Sequence, residues 1–180
     1  MRNSLLILGE LSDNDMEWLQ QVSQRITVAA GDQIVQEGHP ITALYILLDG
    51  VLVVTVQAPG GLHEQRVVAH LSPGEVIGEM SFVDHRPPSA TVVAETDATL
   101  LALPQALLTQ RAEADVEFGR RFYRGLAYCL SNRLRLMNVS LPQAGIEVSG
   151  KLPSALDNPD IEARLPIAKS RLETLIGFVQ

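Results

Sequence analysis

The chain has 180 residues, 46% of them apolar, enough for one domain with an appendage and a full core. A formal net charge of −7 argues against a general binder of phosphate backbones, and 4% aromatic residues leave few platforms for stacking single-stranded bases. Cys129 is the single cysteine, which excludes an intrachain disulfide, and Leu5-Leu6-Ile7-Leu8 is too short for a signal core or a membrane span. A soluble, cytoplasmic chain with no membrane partner is expected.

In chain order, Ser12 with Asp15 three residues on resembles a capping box. It predicts a helix over residues 13–23 with Met16, Leu19, Trp18 and Val22 on its apolar face. Short strands then alternate with turn chemistry. Strands are predicted over 25–29, 33–36, 44–48, 51–57, 64–71, 75–77, 90–95 and 99–103. The breaks between them are Ala30-Gly31-Asp32, Glu37-Gly38-His39-Pro40, Asp49-Gly50, Ala58-Pro59-Gly60-Gly61, Ser72-Pro73-Gly74 and Thr96-Asp97-Ala98. Many short strands at this spacing indicate an antiparallel sandwich or barrel, not a parallel sheet.

Pro104 is placed to open a helix over 105–110, and a much longer helix follows over 115–138. On the long helix Phe122, Leu126, Leu130, Leu134 and Met137 form one apolar stripe. A nearly heptad second seam runs Tyr123, Leu126, Leu130, Arg133 and Met137, so one face can cover the sheets and another can meet a partner helix. A homodimer through this helix is expected, with Phe122, Tyr123, Leu126, Leu130, Leu134 and Met137 as its helix residues. Leu141-Pro142 ends it, and 143–157 is a linker rich in Pro, Gly and Ser. Asn158-Pro159 starts helix again. Pro166 splits it into pieces over 159–164 and 167–178, the second with Ala168, Leu172, Leu175, Ile176 and Val179 on one face. That face must dock on this chain or on a protein partner. The expected division is 1–138 for the β-rich domain with its long helix and 139–180 for the linker and helical extension.

Chemistry concentrates in residues 78–94. Gly78-Glu79 opens a short helical turn through Met80, Ser81, Phe82 and Val83, and Asp84-His85-Arg86 makes a polar elbow. Pro87-Pro88 stops any helix, and Ser89-Ala90 leads into the β-branched strand Thr91-Val92-Val93. A helix start beside a loop with free N–H groups can cradle a phosphate.

This stretch resembles the phosphate-binding cassette of the cyclic nucleotide-binding domain family. So do the upstream runs from Ala30 to Gly38, from Leu44 to Val54 and from Leu71 to Glu79, in the family's order and spacing. The likeness spans roughly residues 12–138. It implies a mainly β fold with flanking helices (α+β), a double-stranded β-helix jelly-roll barrel with a long C-terminal helix. It implies a regulatory sensor of the catabolite-activator type, with a cyclic nucleotide such as cyclic AMP as ligand and no other cofactor. By resemblance, Glu79 would accept from the ribose 2′-OH and Gly78 would allow close approach. The N–H groups of Ser89 and Ala90 with the Ser89 hydroxyl would reach the phosphate, flanked by Met80, Ser81 and Thr91. Where the family places its phosphate-binding arginine this chain has Pro88, and Arg86 is the nearby substitute.

No catalytic site, metal site or enzyme activity is expected. His39, His63, His70 and His85 are scattered, and no nucleophile elbow or GxxxxGK[ST] loop occurs. Arg120, Arg121, Arg124, Arg133 and Arg135 on the long helix read as partners of Glu113, Asp115 and Glu117 along its flanks. The tail beyond 139 lacks a basic recognition helix, so no nucleic-acid partner is expected. Two functions remain: a ligand sensor, or a degenerate sensor that serves as a dimerisation or scaffold element.

Overall fold

A computed structural model describes residues 3–57, 65–140 and 158–177. The turn at 58–61 and the linker at 143–157 lie outside the described residues. Helices α1 (Ser4–Leu8) and α2 (Asp13–Val22) precede strands β1 (Gln24–Val28), β2 (Gln33–Val35), β3 (Ala43–Asp49), β4 (Leu52–Gln57), β5 (Gln65–Leu71) and β6 (Val76–Ile77). Then come α3 (Glu79–Asp84), β7 (Thr91–Ala94), β8 (Ala98–Pro104), α4 (Gln105–Ala114), α5 (Val116–Ser140) and α6 (Pro159–Gly177).

The strands form two four-stranded antiparallel sheets, β1-β8-β3-β6 and β2-β7-β4-β5. The mainly β, helix-flanked architecture is as expected, but the barrel is not closed. Among the described residues no ladder joins one sheet to the other.

Strand β3 explains the layering. Its sequence Leu44-Tyr45-Ile46-Leu47-Leu48 is apolar on both faces because both faces are covered. Leu47 turns inward with Val35, Leu52, Val92, Ala94 and Leu100 to fill the space between the sheets. Leu44, Ile46 and Leu48 turn outward with Val76, Leu101 and Leu103 and meet the helices. There they pack with Leu5, Ile7 and Leu8 of α1, Met16 and Leu19 of α2, and Phe118, Phe122 and Leu126 of α5.

Helix α1 was not predicted from sequence. Its five residues are all buried, beneath α5 and α6. Gly125 permits the crossing: a Cβ there would lie 2.7 Å from Ile7 Cα. The capping box at Ser12 and Asp15 is present with both reciprocal bonds. Helix α4 is longer than expected, and Pro104 ends β8 instead of opening α4.

Helix α6 corrects the expected split at Pro166, since it runs unbroken from Pro159 to Gly177. A proline inside a helix costs about 3 kcal/mol, and packing offsets it here. Ile161, Ala168, Leu172 and Leu175 are buried, the last three within the α1–α5 cluster. Arg171 donates to the carbonyls of Leu8 and Leu11 at 2.9 and 2.7 Å and to the Asp13 carboxylate at 2.7 Å. Of the expected apolar face, Ala168, Leu172 and Leu175 therefore dock on this chain's own helices, whereas Ile176 is exposed and Val179 lies outside the described residues.

The arginines of α5 reach further than expected. Arg120 does pair with Glu117 at 2.8 Å, but Arg121 pairs with Asp15 at 2.8 Å and Arg124 pairs with Glu10. Glu10 also holds Arg164 of α6. Arg111 of α4 lies 3.6 Å from Asp15 and stacks over Trp18 at 4.7 Å.

Asp15 is 1% exposed. Burial pushes its carboxyl up, but hydrogen bonds from Arg121 and Ser12, with the Arg121 charge, outweigh this and hold it below the ordinary carboxylate value. A depressed carboxyl contributes stability above its unfolded pKa, about 3.9, which is lost as pH falls through the lower folded value. Asp15→Asn should cost about 2 kcal/mol near neutral pH, and the difference from the parent should shrink as pH falls below about 4. Urea titrations across pH check this; a pH-independent cost would show that Asp15 acts by shape and not by charge.

Candidate functional site

The 78–94 stretch starts from Gly78, at φ +88° in the left-handed region that glycine adopts without strain. It turns the chain from β6 into α3 against Ile41 and Ala43. Helix α3 buries Glu79, Ser81 and Phe82 and leaves Met80 and Val83 exposed. Phe82 meets the Phe122 ring edge-on at 5.5 Å and lies 5.9 Å from Tyr123, which seats α3 on the middle of α5. His85, at φ +56°, ends the helix, and the Arg86 N–H donates to the Asp84 carboxylate at 3.0 Å.

The loop beyond is tied to the β2–β3 turn. The Gly38 N–H donates to the Pro88 carbonyl at 2.9 Å, and the Glu37 N–H donates to the Thr91 hydroxyl at 3.1 Å. Arg86 and Ser89 are exposed, Pro88 and Ala90 half-buried and Thr91 buried. The structure thus brings Gly78, Glu79, Ser81 and Thr91 into the body of the fold. It leaves Met80, Arg86 and Ser89 at the surface.

The side chain expected to face a ligand is engaged elsewhere. Glu79 is 1% exposed, and its carboxylate takes a hydrogen bond from Nη1 of Arg133 on α5. Nη2 of Arg133 donates to the Val76 carbonyl and lies 3.9 Å from the Glu75 carboxylate. Glu75 in turn accepts from Asn3 Nδ2 at 2.7 Å, and Asn3 Oδ1 accepts from Asn132 Nδ2 at 2.9 Å. Burial pushes the Glu79 carboxyl above its ordinary value, with the nearby Glu75 adding to the push, and Arg133 pulls it part of the way back. Sequence reasoning missed Asn3 and Asn132 and placed Arg133 on a partner seam. A charged residue inside an apolar seam was the available signal.

The expected dimer helix also changes. Phe122 and Leu126 are 1% and 0% exposed and belong to the chain's own core, so they cannot form a partner face. Tyr123, Ala127, Leu134 and Met137 are exposed and Leu130 is half-buried, at intervals of four and three.

Among the described residues no group of three His, Cys, Asp or Glu side chains could hold a metal. No helix there is long and apolar enough to cross a membrane. Cys129 is buried and its thiol is pushed up to about 12 by burial, which leaves essentially no thiolate near neutral pH.

Residues 25–115, half of the chain, match the family described as the cyclic nucleotide-binding domain. The chain is 35% identical over 103 residues to a cyclic AMP receptor protein of Thermus thermophilus, covering 57% of this chain and 46% of that one. It is 31% identical over 87 residues to a cAMP-dependent protein kinase regulatory subunit of Dictyostelium discoideum, covering 48% and 27%. It thus spans less than half the length of these two relatives. A solved cyclic nucleotide-binding domain from Methylobacillus flagellatus superposes with a TM-score of 0.70 at 25% identity, covering 81% of this chain and 85% of that one.

At Gly78 the backbone, more than the space, is the constraint. A Cβ would lie 2.6 Å from Ile41 Cδ1, the tip of a side chain that can rotate away, whereas φ stays positive. Gly78→Ala should cost about 1–2 kcal/mol from the left-handed conformation, and adding Ile41→Val should recover little of it. Urea denaturation of the single and double variants measures both; full recovery on trimming Ile41 would show that the clash alone mattered.

Proposed function

The chain belongs to the cyclic nucleotide-binding domain family, and from that membership we propose that it is a regulatory, non-catalytic sensor module with low affinity for cyclic nucleotides. The observation that carries this reading is Pro88, which has neither an N–H nor a side-chain donor at the phosphate end of the cassette and whose carbonyl is held by Gly38. A cyclic phosphate is a single negative charge, and a guanidinium meets it with two charge-assisted bonds. Such bonds contribute roughly 1.5–3 kcal/mol net, about tenfold to a hundredfold in dissociation constant. Gly78, Glu79, Ser89, Ala90 and Thr91 are still present to hold the rest of the ligand.

Calorimetry with cyclic AMP, cyclic GMP and cyclic dinucleotides tests it. Weak or undetectable heat is expected from the parent chain, and Pro88→Arg should tighten cyclic AMP by about tenfold or more. Arg86→Ala separates the remaining case: tight binding by the parent that is lost with Arg86→Ala assigns the phosphate to Arg86. Tight binding that survives this change overturns the account of the phosphate end.

The exposed seam Tyr123, Ala127, Leu130, Leu134 and Met137 supports a homodimer through α5, for its heptad spacing presents one apolar stripe to a second copy. It also supports the second reading, a dimerisation element that works without ligand. Leu134→Glu with Met137→Glu touches no core residue, so a folded monomer is expected in sedimentation. A parent chain that is already monomeric at micromolar concentration would remove this interface.

A further inference from the structure

Arg133 stands at the point where α5 changes character. Up to residue 132 the helix has a buried apolar face beside its Arg121–Asp15 and Arg124–Glu10 pairs: Phe118, Phe122, Leu126 and Cys129 are each at most 1% exposed, and Gly125 lies against α1. Beyond it Leu134, Leu136 and Met137 are 60%, 49% and 64% exposed. Polar contacts at the junction therefore do the holding. They are the Arg133 bonds to Glu79 and to the Val76 carbonyl, and the chain Asn132–Asn3–Glu75 beside them.

We propose that Arg133 is a built-in occupant of the cassette, an autoinhibitory contact in which its guanidinium takes the Glu79 carboxylate that a ligand hydroxyl would have to reach. The inference rests on reading the cassette as a ligand site. Glu79 is 1% exposed, so no carboxylate lone pair is open to an incoming hydroxyl while α5 is in place. A ligand hydroxyl must displace a charge-assisted bond from a guanidinium that is itself only partly exposed. Removing Arg133 also leaves Glu79 buried beside Glu75 without its cation, a state that favours opening of the last turns of α5. The unliganded chain therefore holds α5 closed by itself, through the Arg133–Glu79 pair.

The test uses the full chain in the Pro88→Arg background, with cyclic AMP and its 2′-deoxy analogue as probes. With Arg133 present, the two should bind alike, because Glu79 is already taken. Arg133→Met should tighten cyclic AMP by about tenfold and leave the 2′-deoxy analogue far less improved. Hydrogen exchange, read without ligand, should quicken over residues 130–140 in Arg133→Met and stay unchanged over 116–128. Arg133→Lys keeps a charge at the site and should fall between parent and Met in both readouts, which guards against a variant that merely misfolds. Discrimination for the 2′-hydroxyl before Arg133 is changed, or equal effects on both probes, overturns the occupancy. Unchanged exchange over 130–140 overturns the lock. A Pro88→Arg chain that binds neither probe in either background overturns the cassette reading and the competition with it, and exchange still reads the lock.

Discussion

A buried carboxylate is tolerated only beside a cation, and three such carboxylates hold the helices of this chain onto its sheets and onto one another. Glu10, Asp15 and Glu79 are 6%, 1% and 1% exposed. Each is met by an arginine from α5: Arg124, Arg121 and Arg133. Leaving one of them unpaired costs several kcal/mol, a sizeable share of the roughly 5–15 kcal/mol that keeps a domain folded. The long helix is therefore pinned along its length by charges as well as by its apolar face.

These pins also link parts that are far apart in the chain. Glu10 holds Arg124 of α5 and Arg164 of α6 at once. Its removal would strand two guanidinium groups on two helices. Arg171 adds a second hold on α6 through the carbonyls at the end of α1, where orphan acceptors need donors. So α1, only five residues long, becomes the bed on which both later helices rest. The cassette joins the same assembly through Phe82 on Phe122 and through Glu79 on Arg133.

The two ends of α5 are held differently. Near Phe118 and Phe122, whose rings stack at 5.4 Å, the helix is embedded in aromatic and aliphatic side chains. Near Arg133 a few directional polar bonds replace that packing. A guanidinium–carboxylate pair is charge-assisted and directional, so it holds the helix only while its geometry is kept.

Much of the architecture was legible in the sequence. Turns were expected at Gly31, Gly38, Gly50 and Gly74, and the structure turns at each with positive φ. The capping box at Ser12 set the start of α2, and the places of the strands along the chain followed from the turn chemistry between them. The 78–94 stretch announced itself because glycine, acid and paired prolines are local signals that need no distant partner. What stayed hidden depended on residues far away in the chain. Pro166 lies inside an unbroken helix because Ala168, Leu172 and Leu175 are buried where α6 packs on α1, which no local pattern displays. Phe122 and Leu126 share the period of the exposed seam, and only the placement of the sheets sends them to the core. Arg120 and Arg121 do meet Glu117 a turn away, yet Arg121, Arg124 and Arg133 also find acids 106, 114 and 54 residues distant. Composition and periodicity decide which residues must be buried or charged; which carboxylate meets which guanidinium is decided only when the helices close on the sheets, because that choice belongs to distance in space.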